Sequence, residues 1–376
     1  MKDSPNEKKK RRNKRKNELK NLRSQKEDEF EHIFLIQLPD RPEIVNREEP
    51  VNFETWNRFR LDDGRFRDVH LLKSLIFHGG LTKDLRSTAW KYLLNFYKWQ
   101  NSDEENKRVK NEKTEEYYRM KLQWMTMSEE QVKHFGDFRD RRALIEKDVI
   151  RTDTFHPFFD RSKPQNLKLL KDILMTYVMY NFDLGYVQGM SDFLSPVLVL
   201  MENEVDAFWC FVGLMNRVHK NFEMDQLYIK QQLSNLKNLI EIVNPQLANY
   251  LESHDSDHMH FCFRWILVAF KREFSFDNIM HLWEVLWTDI PCKAFLLLFC
   301  VVILDQQVNM IIENKYGLTE ILKHVNNLSM QIDLEETLRS AEAIYHQLAA
   351  VQDKLPRHIC EILSFAYDDE EENKTI

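Results

Sequence analysis

The chain has 376 residues, a formal charge of −7, 43% hydrophobic residues and only 8 glycines and 10 prolines. That is enough apolar material for one large core or two modest ones, and too little turn punctuation for a sheet-rich fold, so an all-α chain is expected. Its five cysteines (Cys210, Cys262, Cys292, Cys300 and Cys360) are widely spaced with no CxxC pair, which excludes a disulfide scaffold and reads as a reduced, cytoplasmic protein.

Residues 1–23 hold eleven Lys or Arg against three acids, a net of +8, so the remainder carries −15. The cluster from Lys8 to Lys16 presents the same electrostatics to the nucleus, an anionic membrane or nucleic acid. A solvated, disordered tail over 1–29 is expected ahead of any one of those roles. Residues 30–70, with Pro39, Pro42 and Pro50 and no sustained helical period, read as an extended lead-in that packs on the domain without doing chemistry. A short apolar helix over 71–77 is halted by Gly79-Gly80. Thr82 or Asp84 then caps a helix over 85–99, whose Leu85, Ala89, Tyr92, Leu93 and Phe96 fall on one stripe. Arg86 and Trp90 lie one turn apart on it, a spacing that lets the indole pack while the guanidinium reaches a carboxylate or carbonyl.

Residues 101–131 predict an exposed helix with one narrow buried edge, and Gly136 a break after it. The next helix, 141–151, carries Leu144, Ile145 and Asp148 or Val149 at helical spacing and is ended by Thr152-Asp153-Thr154 and Pro157. Arg151 therefore stands at a helix terminus, where a side chain can reach into another molecule. Asp148, three residues earlier, can hold its guanidinium in one rotamer; taken alone, the pair is an ordinary exposed ion pair worth a few tenths of a kcal/mol. Leu167, Leu170, Leu174 and Tyr177 make 166–181 amphipathic. Asp183-Leu184-Gly185 stops that helix, and another starts near Ser191 with Pro196 in its early turns. The connector from Tyr186 to Gly189, flanked by glycines, can hold Gln188 both exposed and rigid. Taken alone, Gln188 is a turn glutamine bonded to a neighbouring carbonyl, and Tyr186 is either a buttress or ordinary core.

Apolar helices follow over 205–220, 227–251, 258–274, 276–287, 292–310, 318–325 and 334–347, and a C-terminal helix and acidic tail fill 351–376. The longest apolar run, 294–304, falls short of the roughly 20 residues a bilayer needs, and the basic start has no secretory signal. The aromatics are placed for a helix-packed core; basic residues do not interleave with them, so nucleic-acid binding is not expected. His254, Asp255, Asp257, His258 and His260 gather possible metal ligands, with His254 and His258 on one helix face. The cluster lies at an interhelical turn where polar residues collect, and no metal site is expected.

An arginine can stabilise charge growing on a transferring phosphoryl group, and a glutamine can orient the attacking water. The chain has no GxxxxGK[ST], GxGxxG or GxSxG element with which to bind a nucleotide or supply a nucleophile itself, so such chemistry would act in trans.

The stretches Ile145 to Arg151 and Tyr186 to Gln188 fit IxxDxxR and YxQ, and Arg86 to Trp90 fits RxxxW. With the string from Met190 to Pro196 behind them, their order from about residue 75 to residue 346 resembles the TBC-domain GTPase-activating proteins for Rab GTPases. Longer strings, among them Leu144 to Asp148, Glu202 to Cys210 and Phe261 to Trp265, resemble the subgroup of family members fifteen and seventeen. The resemblance implies a multi-helix TBC domain over 71–350 with two helical subdomains. It implies Arg151 and Gln188 as paired catalytic fingers, the glutamine replacing the GTPase's own, with Asp148, Tyr186, Gly189, Arg86 and Trp90 in support. No cofactor of its own is implied, since magnesium and GTP belong to the partner. The implied partner is a Rab-family GTPase in its GTP state, of the late-endosomal Rab-seven kind, at endosomal, lysosomal or mitochondrial surfaces. The subgroup carries a long region ahead of the domain, from which the basic tail is a departure. A noncatalytic helical scaffold that binds Rab proteins is the alternative reading.

Overall fold

The computed structural model describes residues 36–44, 47–160 and 162–366. The basic cluster from Lys8 to Lys16 and the acidic tail beyond 366 lie outside them. The described residues are all-helical, with two isolated β-bridges, Val51 to Leu81 and Arg60 to Phe66. A first set of helices comprises α1 (Phe53–Arg58), α2 (Val69–Gly79), α3 (Lys83–Leu93), α4 (Asp103–Met125), α5 (Glu129–His134), α6 (Gly136–Val149), α7 (Pro164–Tyr180), α8 (Met190–Met201) and α9 (Glu204–Val218). A second comprises α10 (Leu227–Val243), α11 (Pro245–Ser253), α12 (Phe263–Leu267), α13 (Phe276–Trp287), α14 (Phe295–Gln306), α15 (Val308–Glu313), α16 (Leu318–Asn327), α17 (Leu334–Ala349) and α18 (Arg357–Leu363).

In the first set α7 is the hub, packed on α4, α6, α8 and α9, because its stripe of Leu170, Ile173, Leu174 and Tyr177 is buried. In the second, α14 is apolar on every side and lies between α10 and α17. Helix α13 joins the sets by resting on α2 and α3, and one continuous buried core runs through both. The lead-in staples them too: Arg41 pairs with Asp305 of α14 at 2.8 Å and Arg47 with Glu335 of α17 at 3.1 Å before Val51 bridges to Leu81.

Several expected elements are shorter than periodicity alone predicts. The lead-in contains α1, capped by Asn52, which accepts from the Thr55 N–H at 2.9 Å. Thr82 occupies the cap position of α3 without a side-chain capping bond. That helix stops at Leu93 because Asn95 turns left-handed at φ 60°, and Trp99 folds back onto Phe66 and Tyr92. The 101–131 segment breaks after Met125, where Ser128 and Gln131 form a new capping box, and Gly136 opens α6 instead of preceding it. Residues 227–251 divide at Pro245, which has no N–H to give and sits at the first position of α11. Residues 292–310 divide at Gln307. Of 258–274, only Phe263–Leu267 is α-helical, because Ala269 and Phe270 take φ of 42° and 61° and carry Phe270 inward against Trp265 and Phe299.

Arg86 and Trp90 meet on Glu284 of α13. The Arg86 Nε lies 2.7 Å from Glu284 Oε1, the Trp90 indole donates to the same oxygen at 2.8 Å, and the Leu81 N–H donates to Oε2 at 3.3 Å. Burial raises the Glu284 carboxyl from its ordinary 4.5 to about 7, against the pull of Arg86 and the two N–H donors. The folded chain thus holds this proton more tightly than the unfolded one. The stability it contributes is complete below about pH 4.5 and is lost as pH rises through about 7. Nearby His281, pushed down to about 4 by burial and by Arg47 and Arg86, acts in the opposite direction. Urea melts of the wild type and Glu284→Gln, both of which keep His281, should diverge between those pH values. The glutamine variant should lack a fall in stability on the order of a few kcal/mol; parallel pH profiles would refute the assignment.

Candidate functional site

Helix α6 ends at Val149, and the chain then makes a tight turn. The Arg151 and Thr152 amides both donate to the Asp148 carbonyl, at 3.1 and 3.0 Å, and the Thr152 hydroxyl donates to it as well at 2.8 Å. Asp153 takes φ 46° and redirects the backbone. On this turn the Arg151 side chain is 58% exposed while Asp148 is 3% exposed. The guanidinium donates from Nη2 at 2.6 Å and from Nε at 3.1 Å to a single oxygen, Asp148 Oδ1. One edge of the fork is fixed, and Nη1 has no partner among the described residues.

The other oxygen of Asp148 belongs to the second loop: the Tyr186 hydroxyl donates to Oδ2 at 2.7 Å. Burial, and the carboxylate that accepts its proton, push the Tyr186 phenol well above its ordinary range, so it stays a donor. A second bond joins the same two loops, between the Thr152 and Ser191 hydroxyls at 3.0 Å. Asp148, Arg151, Tyr186 and Gln188 are therefore brought to one place from two separate segments. Gln188 is exposed, and among the described residues nothing hydrogen-bonds its carboxamide, so it does not take the bond to a neighbouring carbonyl that a lone turn glutamine is expected to take. Gly189 behind it has φ 108°, and a Cβ there would press on Val268 at 3.2 Å and Phe222 at 3.4 Å. Only glycine fits that bend without displacing the loop. At the near end, Arg141 of α6 covers Gly185, donates to the Phe182 carbonyl at 2.7 Å and lies over the Phe182 ring.

A third segment, just past α12, supports both loops and has no counterpart in the sequence reading. Lys271, 4% exposed, pairs with Asp153 at 2.9 Å, and the buried Ser195 hydroxyl of α8 donates to the other Asp153 oxygen. Arg272 grips Asp192 with Nε at 3.1 Å and Nη2 at 2.8 Å. The bond to Asp192 holds the Arg272 guanidinium above its ordinary value. Each partner is separated from its mate by tens of residues, so no local spacing marks them. Arg86 and Trp90 belong to the α3–α13 brace, and among the described residues no hydrogen bond or ion pair joins them to these loops.

The histidine-rich cluster is arranged otherwise than one helix face would place it. Helix α11 ends at Ser253, the His254 ring stacks on Tyr250 at 4.1 Å, and Asp257 pairs with Lys237 at 2.6 Å. Among the described residues, no group of three or more His, Cys, Asp or Glu is placed to hold a metal, and no helix is long and apolar enough to cross a membrane.

Residues 83–312 match the family described as the Rab-GTPase-TBC domain. The chain is 47% identical over 341 residues to TBC1 domain family member 17 of Mus musculus, covering 91% of this chain and 53% of that protein. It is 36% identical over 346 residues to the GTPase-activating protein GYP7 of Yarrowia lipolytica, covering 86% of this chain and 47% of that protein. The chain thus spans about half the length of the curated relatives it matches. Among solved structures, the Ypt/Rab-GAP domain of Gyp1p superposes with a TM-score of 0.68 at 18% identity, covering 79% of this chain and 98% of that one, a likeness of fold. With a domain match across most of the helical core and close relatives along nearly all of its length, the chain belongs to the Rab-GTPase-TBC domain family.

Proposed function

We propose that this chain accelerates GTP hydrolysis by a Rab-family GTPase in its GTP state, in trans, with Arg151 and Gln188 as the groups it inserts. The observation that carries this reading is the pair of bonds, Tyr186 to Asp148 and Thr152 to Ser191, that lock the arginine turn against the glutamine loop while both end groups stay exposed. Arg151, with one edge of its fork anchored, offers its remaining N–H groups to charge growing between the β- and γ-phosphates. Gln188 has a free carboxamide with which to accept from and donate to the attacking water. Asp148 and Tyr186 are positioning residues, and Gly189 permits the bend; Arg86 and Trp90 act only through the fold. Magnesium and GTP arrive with the partner, and this chain holds no cofactor of its own in the reaction.

The subgroup resemblance of the sequence implies, and we propose, a place in vesicle and endosomal traffic, with a late-endosomal Rab of the Rab-seven kind as the partner. The setting would be cytoplasmic, peripheral to endosomal, lysosomal or mitochondrial membranes, with the cluster from Lys8 to Lys16 available for an anionic surface. The test is single-turnover hydrolysis across a panel of GTP-loaded Rab proteins with the full chain. Strong acceleration of one or a few members is expected. Acceleration of none would overturn the reading, and binding without acceleration would make the chain a scaffold.

A further inference from the structure

A groove of about 610 Å³ opens directly beside Arg151, between the end of α4, helix α5, the end of α6 and the first half of α7. Its apolar surface comes from Trp124, Met125, Val132, Val149, Ile150 and Leu167. Two of these are unusually bare for their size: Ile150 is 68% exposed and Met125 is 50% exposed. One turn before Met125, Leu122 extends the patch at 58% exposure. Exposed apolar surface gathered in a concavity marks a place where another molecule sits.

The charged residues around the groove are occupied with one another. Lys171 pairs with Glu146 at 2.5 Å, Arg142 with Glu146 at 3.1 Å, and Lys168 with Asp172 at 2.6 Å. Each is already engaged in an ion pair, so an apolar side chain is the occupant that gains most from desolvating this surface. The rim holds three cations against two anions, a net positive charge that disfavours the strongly basic 1–23 segment of the same chain as the occupant.

We infer that this groove receives an apolar side chain from the nucleotide-facing surface of the partner GTPase and so helps to set which GTPase is accepted. The inference rests on the activator reading. Ile150 is both part of the groove and the residue before Arg151, so a protein that brings a phosphate within reach of that guanidinium must lie over the groove as well. Burying one large aliphatic or aromatic residue there would contribute affinity that a GTPase with a polar residue at the same place lacks.

The experiment measures KM and the saturating hydrolysis rate with the Rab that the wild-type chain accelerates most, for Met125→Glu, Leu122→Glu and Met125→Leu in the full chain. Both positions are solvent-facing, and thermal melts check that the fold is kept. Each glutamate variant should raise KM about tenfold or more while retaining the saturating rate within about twofold, and Met125→Leu should behave as wild type. Wild-type acceleration with unchanged KM in both glutamate variants overturns the groove assignment alone. So does a fall in the saturating rate at constant KM, or a wild-type dimer that the glutamate variants dissolve, since a second copy would then be the occupant. Failure of the wild-type chain to accelerate any Rab removes the activator reading and this inference with it.

Discussion

Replacing Arg151 by alanine should abolish acceleration while leaving the fold intact. An arginine supplied in trans to a GTPase is worth about three to five orders of magnitude in turnover, or roughly 4 to 7 kcal/mol of barrier. A moderate loss of stability, on the order of 1 to 3 kcal/mol, should accompany it, because the buried Asp148 carboxylate, 3% exposed, then keeps only the Tyr186 hydroxyl as a side-chain partner. Arg151→Lys should fail nearly as completely. An ammonium group can meet Asp148 or a phosphate, but it has no planar fork with which to hold one edge on Asp148 Oδ1 and present the other. The pairing with Asp148 also fixes the guanidinium before the partner arrives, so less entropy is lost on docking. Single-turnover hydrolysis with thermal melts in parallel decides the matter. If Arg151→Ala melts and hydrolyses like the wild type, the arginine has no catalytic role.

The inner part of this site was legible because its signals are local. Asp148 and Arg151 are one helical turn apart, and Tyr186, Gln188 and Gly189 fall within four residues of a glycine-flanked turn, so spacing suggested the geometry within each loop, while the pairing of the two loops rested on the family resemblance. The supporting residues carry no such mark. Lys271 and Arg272 lie where hydrophobic periodicity reads a continuous helix over 258–274. The left-handed backbone at Ala269 and Phe270 that turns Lys271 inward to Asp153 has no glycine to announce it. A buried lysine paired across 118 residues looks, in sequence, like any solvated one.

The fold shows the same division between local and long-range determinants. Helices with a clean apolar stripe, such as α7, α13 and α17, run within a few residues of where that stripe predicts. Errors concentrate where one residue overrides the pattern: Asn95 ending α3, Pro245 dividing α10 from α11, and Ser128 starting α5. For the Arg86–Trp90 pair, spacing identified two members of a three-residue brace. The third, Glu284, lies 194 residues beyond Trp90, and only the packing of α13 on α3 brings it there.

Gln188→Ala is the variant that separates this mechanism from one in which the arginine acts alone. If the chain only supplied a cation, the partner's own glutamine would orient the water, and removing Gln188 would cost little. With the carboxamide free of partners among the described residues and held on a loop bonded to the arginine turn, its loss should instead lower the saturating rate by about two to four orders of magnitude, the usual worth of a group that orients or deprotonates a nucleophile. Gln188→Asn should recover little, since the amide is retracted by one methylene on a loop whose Gly189 bend is already crowded by Val268 and Phe222. The decisive comparison uses a Rab whose own catalytic glutamine is changed to leucine. The wild-type chain should still accelerate that GTPase, because the water-orienting group comes from Gln188, and the Gln188→Ala chain should not. Were the leucine-bearing Rab inert towards the wild-type chain, the glutamine in use would be the partner's, and Gln188 would be no more than an exposed turn residue beside a working arginine.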